Sequence, residues 1–412
     1  MLVQKRSGEV VDFNAEKIKI AVGKAMSRTE TEDDKLQEKV VKYVKKQLEG
    51  ENVVRVDTVH KTVEDALMNV KAFDVAREYI GYRKTHENDI FRKRVAYKPF
   101  RYPQLALYAD AIQQSYWIVS EYSFGGDIQD FRAVLSDKEK EAVRRSMLAI
   151  SQVEVAVKRF WSNLGNRIPI PEVEEVSATF AESEVRHSRA YSHLLELLGL
   201  NAEFDKVLEV PAIKKRVNYA EKALSKAKTE SNKDFVEAVL LFSLFIENVS
   251  LFSQFLIISQ MNKEKGVLKG ISNVISATSL EEATHHDFGC ELVNIIREEN
   301  PEWFDQELED RILRLVDQAF EAEVDIVNWI FEEGMLDYLS REEVVEYIKN
   351  RFNMGLKQAG FTEAFDVDSK LLERTKWFDL QNTTTMHVDF FAKRTPNYTK
   401  FSKAFDGDDL FD

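Results

Sequence analysis

The chain has 412 residues, with 15 glycines, 7 prolines and a formal charge of −14. Long stretches free of breakers favour helix over strand, and the acidic balance argues against a general nucleic-acid-binding surface. A single cysteine, Cys290, excludes an intrachain disulfide, a Cys-x-x-Cys metal site and any chemistry needing a redox-active cysteine pair on this chain. No charged-then-apolar leader opens the sequence, which predicts a cytoplasmic protein. The longest apolar run, 235–258, contains Glu237, Glu247, Asn248 and Gln254, so a buried helix is expected there and no membrane span.

Residues 1–95 are expected to form a separate unit. Residues 2–5 and 9–13 read as short strands around Arg6-Ser7-Gly8, a hairpin with glycine at its turn. Asn14 is placed to cap the helix that follows, whose apolar stripe is Ile18, Ala21, Val22 and Ala25. Leu36, Val40, Val44 and Leu48 mark a second helix. Asp57 or Thr58 is the expected cap of a third, which turns Val59, Val63, Ala66 and Val70 inward. A fourth spans roughly 72–88, and the basic stretch 92–101 then reads as a connector.

A helix from about Gln104 carries Tyr116 and Trp117 near its end. Four long helices follow at roughly 138–164, 171–198, 233–261 and 268–298, with Pro171 suited to the first turn of the second. Each sets an acid into an apolar face. Glu154 interrupts Met147, Ile150, Val157 and Trp161. Glu184, His187 and Tyr191 fall at i, i+3 and i+7, on one side of a helix with Phe180 and Leu195. Glu247 interrupts Leu240, Leu244, Leu251 and Phe255. Glu282 and His285 repeat the Glu-x-x-His spacing; of seven histidines, only His187 and His285 follow a Glu by three residues. Carboxylates and imidazoles in a core are costly unless paired, and bound metal would pair them. Hard carboxylate oxygens with one imidazole per metal suit Fe and Mn, and the lack of thiolates argues against a structural zinc site. Two or three further helices are expected within 303–360. After about residue 376 the pattern weakens, and the acidic end 406–412, with Leu410 and Phe411, reads as a disordered tail.

Two helices donating a lone Glu and two donating Glu-x-x-His resemble the ferritin-like dimetal carboxylate proteins. More narrowly, residues 101–412 resemble the radical-generating small (beta) subunit of class I ribonucleotide reductase. The motifs are Ser183-Glu184-Val185-Arg186-His187-Ser188-Arg189-Ala190-Tyr191, Ile246-Glu247-Asn248-Val249-Ser250-Leu251-Phe252 and Glu281-Glu282-Ala283-Thr284-His285. Residues 1–95 resemble an ATP-cone, the regulatory nucleotide-binding domain of these enzymes, on Val3-Gln4-Lys5-Arg6-Ser7-Gly8, Phe13-Asn14 with Lys17-Ile18, Val59-His60 and Tyr79-Ile80-Gly81-Tyr82-Arg83-Lys84.

The resemblance implies a mainly α fold. A ferritin-like bundle would occupy 101–375, preceded by a small α+β cone of a hairpin and four helices over 1–95. A partner-docking tail would follow over 376–412. It implies Glu154, Glu184, His187, Glu247, Glu282 and His285 as ligands of a Mn/Mn, Fe/Fe or Mn/Fe centre. Tyr191 stands at the radical position. Trp117 would relay the radical, linked to the metal through Glu281 and His187, and Tyr398 is the candidate for the step to the partner. That partner is the large catalytic (alpha) subunit, where ribonucleotides become deoxyribonucleotides; the lone cysteine agrees, since the reduction needs several. In the cone, Lys5, Arg6 and Lys17 would hold phosphates by charge-assisted hydrogen bonds, with Gly8 at the turn and Asn14, His60 and Lys84 near the nucleotide. ATP and dATP would be the effectors. A homodimer is expected, driven by dATP into a larger inactive oligomer.

Two positions depart from the usual pattern. Glu154 stands where many members have Asp, and Glu281 replaces the usual Asp of the relay. A longer carboxylate changes bridging geometry and is a reason to consider Mn over Fe. The alternative is a ferritin-like dimetal oxidase or oxygenase acting directly on a small molecule, which explains neither the cone nor the tail. A ferritin-like metal store is disfavoured by the fused nucleotide domain.

Overall fold

The computed structural model describes the chain to residue 381, apart from 5–9, 30, 32, 34, 88, 97 and 230; for 82–87, 155 and 156 it describes the backbone alone. Lys5, Arg6, Gly8, Tyr398, Leu410 and Phe411 therefore lie outside the described residues, and Lys84 is placed only by its helix.

In the N-terminal unit, β1 (Leu2–Gln4) pairs antiparallel with β2 (Val10–Asp12), Val3 opposite Val11. Asn14 caps α1 (Ala15–Arg28), its side chain accepting from Glu16 N at 2.9 Å. Then come α2 (Leu36–Gln47), β3 (Val53–Arg55), α3 (Val56–Asn69) and α4 (Phe73–Glu87). The third strand, β3, was not expected. It runs parallel to β1 with Val54 beside Val3, giving the order β2-β1-β3. Such a pairing joins residues far apart in sequence, and three residues carry too little alternation to announce it.

Two further expectations are corrected here. Neither Asp57 nor Thr58 caps α3: the helix leaves β3 directly, with Arg55 at its N-cap and Asp57 within its first turn, where an acid suits the helix dipole. Its buried stripe ends on Ala66 and Leu67, because the helix stops at Asn69 and leaves Val70 exposed. Val3, Val22, Val40, Val44, Val54, Val63 and Leu67 close a small core.

A second core runs from Ile90 to Phe378. Its elements are α5 (Pro103–Gln114), α6 (Gly125–Gln129), α7 (Asp137–Arg167), α8 (Pro171–Leu198), α9 (Asn201–Phe204), α10 (Pro211–Ala227), α11 (Asn232–Leu240), α12 (Phe252–Lys265), α13 (Lys269–Glu299), α14 (Gln306–Ile330), α15 (Arg341–Gln358) and α16 (Ser369–Leu372). Ser136 and Glu139 form a capping box that starts α7. Pro171 opens α8, and Gly199 ends it in the left-handed conformation.

Between α11 and α12 the chain stays helical but widens into a π-helix, Leu241–Ser250. The expected single α-helix over 233–261 is thus interrupted. The composite helix is apolar enough to cross a membrane, yet its most apolar window is wholly buried inside the bundle. Tyr116 and Trp117 lie just beyond the end of α5 rather than on it. Trp117 still points inward and is 1% exposed.

Candidate metal centre

Four helical segments bring six side chains to one point. Glu154 comes from α7, Glu184 and His187 from α8, Glu247 from the π-helix, and Glu282 and His285 from α13. All are at most 2% exposed. They form two groups whose ligand atoms lie within 4.8 Å of one another: Glu154, Glu184, His187 and Glu282, then Glu184, Glu247, Glu282 and His285. Glu184 and Glu282 belong to both. Glu282 Oε1 lies 3.0 Å from His187 Nδ1, and Glu282 Oε2 lies 3.4 Å from His285 Nδ1. Glu184 divides its oxygens likewise, Oε2 at 3.4 Å from His187 Nδ1 and Oε1 at 3.0 Å from His285 Nδ1. Two carboxylates that each turn one oxygen to either imidazole are placed where both could serve a pair of cations.

The residues fit a metal pair. Both oxygens of Glu154, Glu184 and Glu282, Glu247 Oε2 and both histidine Nδ1 atoms are buried without a directed hydrogen bond. Within each group they lie within 4.8 Å of one another, and such orphans are costly unless an ion takes them up. Burial raises the pKa of Glu154, with the charge of Glu184 adding to it; burial likewise raises Glu247, next to Glu282. For His187 and His285 burial acts downward, but the carboxylates close around them outweigh it and raise both. Cations would replace these held protons.

The outer atoms of these side chains are also held. His187 Nε2 donates to Glu281 Oε2 at 2.7 Å, which leaves Nδ1 for the metal side. His285 Nε2 meets a hydroxyl instead: Ser183 Oγ lies 3.0 Å away and itself donates to Phe180 O. Trp161 Nε1 donates to Glu247 Oε1 at 2.7 Å. In the sequence Trp161 stands only as an apolar neighbour of Glu154, and its place on that face is the one signal of this bond.

Trp117 lies against His187. Its ring stacks on His187, with centroids 5.9 Å apart at 17°. Its Nε1 is buried without a partner, so the indole does not bond Glu281. Arg186 makes the link: Nη1 donates to Glu281 Oε1 at 3.1 Å and to Trp117 O at 3.3 Å, and the guanidinium covers the Tyr116 ring at 4.6 Å. Ser115 Oγ also donates to Glu281 Oε1, at 3.3 Å. Tyr191 is 1% exposed and its hydroxyl is unpartnered; burial, then the charge of Glu154, pushes its pKa well up.

The nucleotide-site candidates are less complete. Asn14 spends its carboxamide oxygen on the helix cap, and Lys17 is exposed in the opening turns of α1. His60, on α3, places Nδ1 2.8 Å from Tyr79 OH on α4.

Comparison with known proteins agrees with this geometry. The family model "Ribonucleotide reductase, small chain" matches residues 94–371, and "ATP cone domain" matches residues 1–88. The chain is 24% identical over 349 residues to the probable ribonucleoside-diphosphate reductase small subunit 376L of Invertebrate iridescent virus 6, covering 76% of this chain and 96% of that one. It is 22% identical over 301 residues to the ribonucleoside-diphosphate reductase subunit beta of Chlamydia pneumoniae, covering 68% and 83%. Among solved structures, it resembles the ribonucleotide reductase R2 subunit from Clostridium botulinum with a TM-score of 0.62 at 20% identity, over 68% of this chain and 89% of that one. An R2-like ligand-binding oxidase with an aerobically reconstituted Mn/Fe cofactor gives 0.55 at 20% identity, over 64% and 94%. These structural likenesses show a ferritin-like bundle, a fold that does not by itself choose between reductase and oxidase. The family match spans most of the chain and is joined to a cone, and on that ground the chain belongs to the ribonucleotide reductase small-chain family.

Proposed function

We propose that the chain is the radical-generating subunit of a class I ribonucleotide reductase, working with a large catalytic subunit and regulated through its own cone. The observation that carries this reading is the pair of ligand groups sharing Glu184 and Glu282, with Trp117 stacked on the ligand His187. A metal pair held there would supply the one-electron oxidising power that side chains lack. Metal analysis distinguishes Mn/Mn, Fe/Fe and Mn/Fe.

The chain's own residues then have distinct tasks. Tyr191 is enclosed in the core beside Glu154, where burial keeps its phenol protonated and excludes water. It is the proposed radical holder. Glu281 accepts a hydrogen bond from the outer nitrogen of His187, and Arg186 ties Glu281 to the backbone of Trp117. This connected set is the proposed relay toward the surface, with Tyr398 as the following step. Cys290 is buried and burial pushes its thiol well up, which disfavours the thiolate a reducing group needs. Reduction therefore belongs to the partner.

In the cone, ATP and dATP are the proposed effectors, held by Lys5, Arg6 and Lys17 near Asn14, His60 and Lys84. The subunit is proposed to be a cytoplasmic homodimer that dATP assembles into a larger inactive oligomer. Elemental analysis with paramagnetic resonance tests the central reading. Two transition-metal ions per chain and a persistent paramagnetic signal after oxidation are expected. Turnover of a small molecule without any large subunit would instead support the oxidase.

A further inference from the structure

Glu247 is the ligand whose backbone needs the most support. It sits in a ten-residue π-helical run, a geometry seldom sustained over such a length without help from its neighbours. Several groups outside the run hold it. His286 Nδ1 donates to Ser243 O at 2.7 Å. Ser243 presses against Gly289 of α13, where an added Cβ would fall 1.7 Å from Ser243 Oγ. On the other flank, a Cβ on Gly355 of α15 would come within 2.8 Å of Asn248 Nδ2.

The bonds next to Glu247 are reciprocal. Asn248 Nδ2 donates to Arg351 O at 2.7 Å, and Arg351 Nε donates to Asn248 O at 2.8 Å. The guanidinium also lies 3.8 Å from the centroid of Phe252, where the α-helix resumes. Its Nη1 donates to Asp379 Oδ1 at 3.2 Å, an oxygen that also accepts from Tyr347 OH at 2.9 Å. Asp379 is itself anchored by its neighbours: Phe378 is 1% exposed, and Trp377 Nε1 donates to Gln260 Oε1 at 2.7 Å. Residues 382–412 begin just beyond.

We propose that Arg351 is a positioning residue for Glu247, and that Asp379 fixes Arg351, so that the root of the C-terminal segment bears on one half of the dimetal site. The inference rests on Glu247 being a metal ligand, as proposed above. Its effect is confined to the ion on the His285 side. Glu154 and His187, which complete the other group, come from α7 and α8, whereas the bonds of Arg351 run to Asn248, beside Glu247, and to Asp379. A planar guanidinium can bond Asn248 O and Asp379 together in fixed directions; an ammonium in its place cannot.

The test uses the full chain with Mn(II) as the probe, free Mn(II) being read by paramagnetic resonance. Arg351→Lys and Asp379→Asn are each expected to bind one of two ions about tenfold more weakly, as supporting-residue changes commonly do, and to leave the other ion unchanged. The spectrum of the loaded pair is expected to shift, and Asp379→Glu to restore most of the affinity. Wild-type binding of both ions in both variants overturns the proposal, as does equal weakening of the two ions. If Arg351→Lys fails to fold, Asp379→Asn decides alone, since it leaves the Arg351–Asn248 bonds in place. Glu247→Ala separates the two levels. If it keeps both ions, the ligand assignment fails and the proposal with it. If it loses one while the other variants bind normally, only the positioning role fails.

Discussion

Trp161 and Glu247 meet across the bundle, the indole Nε1 donating to Glu247 Oε1 at 2.7 Å while Oε2 turns toward His285 Nδ1 at 3.5 Å. One oxygen is thereby fixed and the other is free for a cation. Trp161→Phe keeps the ring contacts with Phe180 and His285 but removes the donor. A hydrogen bond to a charged group is worth about 1.5–3 kcal/mol, so the metal-loaded variant should melt earlier and hold the His285-side ion roughly 10–100-fold less tightly. Calorimetry and metal titration check both. Identical affinity would show that the bond orients nothing.

Metal should be part of this protein's stability. Cations would satisfy the orphaned oxygens and nitrogens of the six side chains, and an ion binding the folded state alone at a thousand times its Kd stabilises by about 4 kcal/mol. Chelation is expected to lower the melting temperature. Glu247→Ala and His285→Ala should lose metal and radical while keeping the helical circular-dichroism spectrum. Full wild-type metal in both variants would remove these residues from the ligand set.

Trp117→Phe should keep the metals and any stored radical yet abolish turnover with the large subunit. Phenylalanine preserves much of the stack on His187 but resists one-electron oxidation far more than indole. Paramagnetic resonance and a turnover assay on the same sample provide the check. Normal turnover would take Trp117 out of the relay.

Deleting residues 406–412 should weaken binding to the large subunit and leave metal content intact. Leu410 and Phe411, flanked by acids, have the make-up of a peptide that docks into a groove. The measurement is a binding titration against the large subunit; unchanged affinity would count against a docking role.

The cone predicts control at the level of assembly. dATP is expected to raise the mass of this subunit alone in light scattering, ATP is not, and a form lacking residues 1–95 should respond to neither. The effector must bind the two assembly states with different affinity for this to occur. Inhibition by dATP with no change in mass would exclude the assembly mechanism.

Much of the molecule was legible in the sequence because its decisive signals are local. The spacing of Glu184, His187 and Tyr191, and of Glu282 and His285, fixes a shared helical face whatever surrounds it. Asn14 and Pro171 mark helix starts through bonds or dihedrals within a few residues. Tertiary structure decided what depends on partners distant in the chain. β3 exists because Val54 finds Val3. The π-helix bearing Glu247 is packed by Gly289, Gly355, His286 and Arg351, which lie on two other helices. Trp117 joins Glu281 through Arg186 and not through its own indole, because the end of α5 sets the ring flat on His187. A sequence records which side chains share a face; which of their atoms meet is settled only when the helices pack.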